Sequence, residues 1–299
     1  MEKSYKIKEP LSDKMLLALI YVFLAAVLIV ILYPLIYIVS SSLSSPLAVM
    51  SGRVWLLPVE PTLKGYTAVL NNPRIWTGYG NSLFYTSVGT LISVSLTIAI
   101  AYPLSKKTFY GRGIILYLLI VTMIFSGGLI PYYITVRDLG LIDTRWALLL
   151  PQAIAVWQVF IAKTFFQETI PGELNEAAEI DGCSDMRFLR SIVLPLSKPI
   201  IAVLVLMYAV VSWNAYFDAL IFLRDGGLYP LQIILRDILI QNTVDQSMMV
   251  DARTMEARQG LKDLLKFSLI VVSSLPVLII YPFVQKYFVK GVMIGSLKG

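Results

Sequence analysis

The sequence predicts an all-α membrane protein built from six transmembrane helices. Three observations lead there. The 299 residues are 57% hydrophobic and only 15% charged, with a mean hydropathy of +0.75, a composition suited to lipid. The charges gather between apolar runs of about 20 residues, the length that crosses a bilayer. The runs number six, an even count that puts both termini on one side.

The same composition excludes several classes of function. A formal charge of +6 could suggest nucleic acid, but the cations sit singly at the ends of apolar runs and form no basic stripe. There is no His and one Cys, which excludes a disulfide within the chain and argues against zinc, Cys–His or Ser–His–Asp chemistry. The chain reads as a non-enzyme with no cofactor or metal site of its own. The first apolar run is too long for a signal-peptide core and no small-residue cleavage site follows it closely, so it reads as a retained span.

In chain order, residues 1–14 hold four Lys and form a polar tail before a membrane domain over 15–288. Span 1 is predicted over Met15 to Val39 and span 2 over Asn81 to Leu104. Span 3 lies between Arg112 and Arg137, where Gly127-Gly128 followed by Pro131 would permit a kink or close packing. Span 4 starts near Trp146 and runs past Lys163, whose ammonium can snorkel to the interface. Span 5 runs from Pro199 to about Leu223, and span 6 lies between Lys266 and Lys286. Residues 289–299 form a short polar tail. No internal repeat or low-complexity segment appears. No G-x-x-x-x-G-K-[ST] pattern is present, so the chain has no phosphate-binding loop of that kind.

The polar stretch 173–199 separates spans 4 and 5 and reads as two short helices joined by a turn. Pro171 and Gly172 precede the first, where Pro is tolerated. Glu173 and Glu176 lie near the positive end of its dipole. Asp181-Gly182 is a turn signal. Ser184 can cap the second helix, with Asp185 beside it. Phe188, Leu189, Ile192 and Val193 then form one apolar stripe that needs a partner surface, and Pro195 and Pro199 end it. A helix lying on the membrane is the alternative, but such helices usually line their polar face with Lys and Arg, and this one opens with Glu.

Glu176-Ala177-Ala178, Gly182 and Leu194-Pro195 resemble the EAA loop of ABC-importer permeases, with Cys183 standing where that family usually has Ala. The resemblance extends over essentially the whole chain, through Asn81-Ser82-Leu83, Ala101 to Ser105, Phe125 to Pro131, Trp213-Asn214 and Lys290-Gly291-Val292. It is strongest to the complex-polysaccharide and oligosaccharide branch of the carbohydrate-uptake permeases. It implies the type I importer fold and a permease working with a second, different permease chain, two ATPase subunits that bind ATP and Mg, and an extracellular solute-binding protein. It implies that Glu176, Ala177, Ala178, Asp181, Gly182, Phe188 and Pro195 couple to the ATPase. That loop must then be cytoplasmic, which puts both termini in the cytoplasm of a multi-pass plasma-membrane protein. The Lys/Arg count, 14 inside against 11 outside, agrees only by its density in short segments.

A permease makes no covalent change, so its remaining sites are a path and a docking surface. Trp213, Asn214, Phe217 and Asp218 are predicted to share one helical face of span 5. An ionisable group inside a span is a functional hypothesis, though Asp218 lies near the outer end and could simply reach the interface. Trp157 can stack on a sugar ring and Gln158 can bond hydroxyls. Packing between helices and bonding to a neighbouring helix are the alternatives. The outer segment 224–262 lacks apolar periodicity. It carries five cations against five acids, so its charge gives no reason to expect an acidic cargo. By resemblance it enters the binding protein and displaces sugar, with Gln241, Asn242 and Gln246 as uncharged hydrogen-bonding groups. A helical cap over the outer mouth is the alternative. An importer for a non-sugar solute remains a second reading. A secondary transporter is the more distant one, disfavoured by the lack of repeated broken helices and intramembrane charges.

Overall fold

The structure is a computed structural model that describes residues 10–244 and 264–282, with side chains described up to 238 and over 264–282. Among the described residues every regular element is helical. The chain divides into two compact units, one of residues 1–71 and 242–272, the other of residues 72–241 and 273–299.

In the first unit, α1 (Leu11–Ser42) is a 32-residue helix whose apolar window is wholly unburied within the chain, a surface made for lipid or a partner. Two short helices follow, α2 (Pro46–Met50) and α3 (Lys64–Leu70). Ala48, Val49 and Val54 form a small core beneath the loop between them.

The second unit is organised around α4 (Pro73–Ser105), 33 residues without a break. Asn72 caps its start by accepting the Arg74 N–H at 3.0 Å. Along its middle the buried face is rich in small and polar residues, Asn81, Ser82, Thr86, Gly89, Thr90, Ser93 and Thr97, with apolar Ile75 and Leu104 towards the ends. Small residues let neighbouring helices approach where lipid supplies no hydrophobic drive. That face meets α8 (Val156–Thr169) and α11 (Lys198–Asn214). Where they meet, the Tyr208 hydroxyl accepts the Ala155 N–H at 3.2 Å and lies 2.7 Å from Thr97 Oγ1. Either of the two hydroxyls can donate in that second bond.

Several predicted spans are interrupted. Span 3 is two helices, α5 (Arg112–Ile124) and α6 (Leu129–Asp138), bent by 116°. The bend is set by Gly128, whose φ of +82° with ψ of −179° only Gly holds readily. Span 4 becomes α7 (Trp146–Leu149) and the 14-residue α8, with Pro151 between them leaving the Ala147 carbonyl without a helical donor. At about 1.5 Å per residue α8 is roughly 21 Å long, short of a ~30 Å hydrocarbon core. Span 5 is α11 followed, after a break at Ala215 and Tyr216, by α12 (Phe217–Phe222). Segment 224–262 is more regular than its sequence suggests. It starts with a turn over Gly226–Leu228 and forms α13 (Leu231–Val244), in which Leu231, Ile233 and Ile234 are buried. The last described helix is α14 (Leu264–Pro282). Three described helices are long and apolar enough to cross a membrane, five if each bent pair is one span, against the six read from hydropathy.

Candidate functional site

The polar loop 173–199 is opened by α9 (Gly172–Ile180), with Pro171 in extended backbone as its N-cap. Asp181 closes the helix and Gly182 follows at φ +72°. The Gly182 N–H then bonds the Glu179 carbonyl at 3.0 Å, and the Cys183 N–H bonds the Ala178 carbonyl at 2.8 Å. This is a Schellman closure, and it satisfies two carbonyls that the helix end would leave open.

The second helix, α10 (Asp185–Leu196), departs from the sequence reading in three respects. Ser184 has the backbone of an N-cap but its side chain makes no cap bond. Pro195 does not end the helix. Residues Leu189–Val193 widen into a π turn just before it, which makes room for a ring that would collide with the carbonyl four residues back. The chain bends by 81° into α11, and Pro199 lies in the first turn of that helix.

The apolar stripe points inward. Phe188 is 3% exposed and Val193 fully buried, packed with Ala178, Tyr102 and Phe166. Phe188 therefore anchors the loop to its own core. Glu176, Ala177, Asp181, Gly182 and Pro195 are exposed. So are two residues that the sequence reading passed over, Ile180 at 87% and Met186 at 58%. Their signal was present: both are apolar in a polar loop and fall outside the stripe. They and Ala177 are exposed apolar residues around the turn, alongside the exposed carboxylates Glu179, Asp181 and Asp185. Beside the turn a groove of about 610 Å³ is lined by Tyr102, Lys107, Asn175, Glu176, Glu179 and Phe188, among others.

Lys106, the residue after α4, bonds the Asp185 carboxylate. Its ammonium lies over the Tyr102 ring at 5.1 Å and the Phe188 ring at 5.8 Å. Burial alone would lower its pKa, but the bond to the Asp185 carboxylate, with the Tyr102 phenol close by, outweighs that and holds it above the usual lysine value.

The predicted path residues separate into two groups. Gln158 and Asp218 line one cavity of about 100 Å³ with Gln152, Ser93, Tyr208 and Ser212. Asp218 accepts from Gln152 Nε2 at 2.6 Å and from the Tyr132 hydroxyl at 3.2 Å. The others are not on that cavity. Trp157 is 60% exposed on the outer surface of the chain. Trp213 is buried and donates from Nε1 to the Ser273 carbonyl at 3.0 Å. Asn214 bonds back to the Val210 carbonyl, and Phe217 is half-exposed. The break at Ala215 and Tyr216 puts residues 213–214 and 217–218 on different helices, so they share no helical face. Gln152 was missed, because it follows Pro151 in what reads as the middle of a span. Gln241 and Asn242 lie in α13 with side chains outside the described residues. Gln246 and the tail 289–299 also fall outside them.

The comparisons agree with this geometry. The sequence pattern described as "Binding-protein-dependent transport system inner membrane component" matches residues 7–294. Protein LplC of Bacillus subtilis is 41% identical over 93% of this chain and 92% of its own. The polygalacturonan/rhamnogalacturonan transport system permease protein YtcP of Bacillus subtilis is 40% identical over 94% and 97%. A crystal structure of a bacterial ABC transporter involved in import of the acidic polysaccharide alginate superposes with a TM-score of 0.85 at 35% identity, covering 95% of this chain and all of that one. Matched along nearly its full length, the chain belongs to the binding-protein-dependent ABC permeases, the non-catalytic inner-membrane components of such importers.

Proposed function

We propose that this permease carries oligosaccharides from an extracellular binding protein to the cytoplasm by alternating access. It would pair with a second, different permease chain above two ATPase subunits, which bind the ATP and Mg. Both of its termini would lie in the cytoplasm. The observation that carries the coupling is the exposed tip of Ala177, Ile180, Gly182 and Met186, held in shape by the two Schellman bonds. A tip of that kind offers exposed apolar side chains to an ATPase groove, with Asp181 in the turn and Glu176 one helical turn before it.

For the cargo, the cavity around Gln152, Gln158, Ser93 and Asp218 offers amides, hydroxyls and one carboxylate, a set that matches sugar hydroxyls. It contains no cation, so this wall does not itself select a uronate. At about 100 Å³ it is smaller than the ~300 Å³ of ordinary ligand pockets, which suits one closed wall of a path completed by the second permease. The relatives' polysaccharide cargoes support the same class. The outer segment 224–262 would reach the binding protein, with Gln241, Asn242 and Gln246 competing for the sugar.

Proteoliposomes holding the whole complex test this. Labelled oligosaccharides of uronic and of neutral sugars, delivered on the binding protein, should accumulate only with ATP and only when this chain is present. Uptake of a non-sugar solute with no sugar moved would overturn the reading.

A further inference from the structure

We propose that α4 is a rod tying the outer loop to the coupling helix, and that Lys106 is the positioning residue of its inner joint. The inference rests on the coupling-loop reading above.

At the inner end, Lys106 is the first residue past the helix and Asp185 the first residue of α10. The cation lies at the negative end of one helix dipole and the anion at the positive end of another. Each charge is favourable where it stands, and the bond between them joins the helices end to end. The aromatic rings of Tyr102 and Phe188 flank the ammonium, and both are buried with Phe166 beneath. Tyr102 belongs to α4 and Phe188 to α10, so the cation meets α10 through the Asp185 charge and a ring face and its own helix α4 through a second ring face. Arg112 adds a second hold on the same helix end, donating from Nε to the Leu104 carbonyl at 2.9 Å.

At the outer end, α4 is bonded to the turn before α13. Asn81 Nδ2 donates to the Gly227 and Tyr229 carbonyls at 2.7 and 3.1 Å. The Tyr85 hydroxyl donates to the Leu228 carbonyl at 2.9 Å, and Ser82 Oγ accepts the Leu231 N–H at 2.8 Å. Gly78 permits the close approach, since a Cβ there would stand 2.4 Å from Ile234 Cδ1 and 3.2 Å from Leu231 Cα.

Between the joints α4 is continuous, roughly 38 Å from Asn81 to Lys106 at about 1.5 Å per residue. Its neighbours are not: the pairs α5–α6 and α10–α11 bend by 116° and 81°. A bent pair absorbs a displacement at its hinge, whereas an unbroken helix passes it on. A shift of the outer turn therefore reaches Asp185 most directly along α4.

The test uses the complete complex in membranes and reads the ratio of ATP hydrolysis with loaded binding protein to hydrolysis without it. That ratio does not depend on how much complex assembles. Lys106→Met should lower it about fivefold to tenfold, the scale of an ion pair plus a cation–π contact. Lys106→Arg should keep it near wild type. Asp185→Asn should lower it too, and the double variant should do little further harm, because both remove one bond. An unchanged ratio in Lys106→Met, or losses that multiply in the double variant, would overturn the inference. If Lys106→Met does not assemble, Asp185→Asn alone decides by the same reading, since its side chain is 77% exposed. Gly182→Val separates the two layers. Normal stimulation in that variant removes the coupling-loop reading itself, while loss there with normal Lys106 and Asp185 variants removes only the joint.

Discussion

Gly182 sits at φ +72° with nothing within 4 Å of where a Cβ would be. The demand on this position is therefore conformational and not steric crowding. Left-handed backbone costs an ordinary L-residue about 1–2 kcal/mol, most for a β-branched one and less for Asn. Gly182→Val should largely abolish binding-protein-stimulated hydrolysis, and Gly182→Asn should retain much of it. Equal loss in both would mean that the side chain itself obstructs docking. The turn was legible in the sequence because Asp-Gly between two helical patterns has few other uses. The direction of Phe188 was not. An apolar stripe shows that a helix has a buried face, but not whether the partner is another chain or its own α4 and α8.

At the scale of elements, one phenol joins three of them. The Tyr208 hydroxyl, on α11, takes the N–H at the start of α8 and shares a hydrogen bond with the Thr97 hydroxyl on α4. Both Tyr208 and Thr97 are buried. Tyr208→Phe would strand a helix-start N–H and a buried hydroxyl, at a cost of about 1–3 kcal/mol. It should appear as a lower denaturation midpoint of the purified complex, and an unchanged midpoint would show that water replaces the phenol. Hydropathy alone located most of these helices. It missed the breaks, because a window average is insensitive to Pro151 or to the conformation of Gly128. It also could not show that the buried face of α4 is the polar one. In water the apolar face turns inward, whereas here Asn81, Ser82, Thr86 and Thr97 pack while Leu83 and Leu91 go outward.

Across the whole molecule, the outer loops are held together at Asp143. Its backbone takes φ +59°, its N–H bonds the Phe222 carbonyl at 2.8 Å, and its carboxylate accepts the Arg224 and Asp225 N–H groups, each at 2.8 Å. Those two backbone bonds hold its carboxyl below the usual aspartate range. A depressed folded pKa means that the stabilisation is complete above the unfolded value of about 3.9 and fades as pH falls through the folded one. Protection of the Arg224 and Asp225 amides, taken relative to their intrinsic exchange rates at each pH, should therefore fall on strong acidification and stay flat near neutrality. Asp143→Asn, whose Oδ1 can still accept both bonds, should remove that acid dependence, and a dependence that persists would assign it to another group. Nothing in the sequence pointed to Asp143, since its partners lie some 80 residues away and a single Asp in a loop has no pattern.

The one thiol in the chain, Cys183, stands immediately after Gly182, partly exposed. An investigator therefore inherits a reporter already in place. A fluorophore or spin label added to the unaltered chain attaches at one position only, beside the surface that is read as meeting the ATPase. Motion of that surface through a transport cycle can be followed without first stripping the protein of competing cysteines.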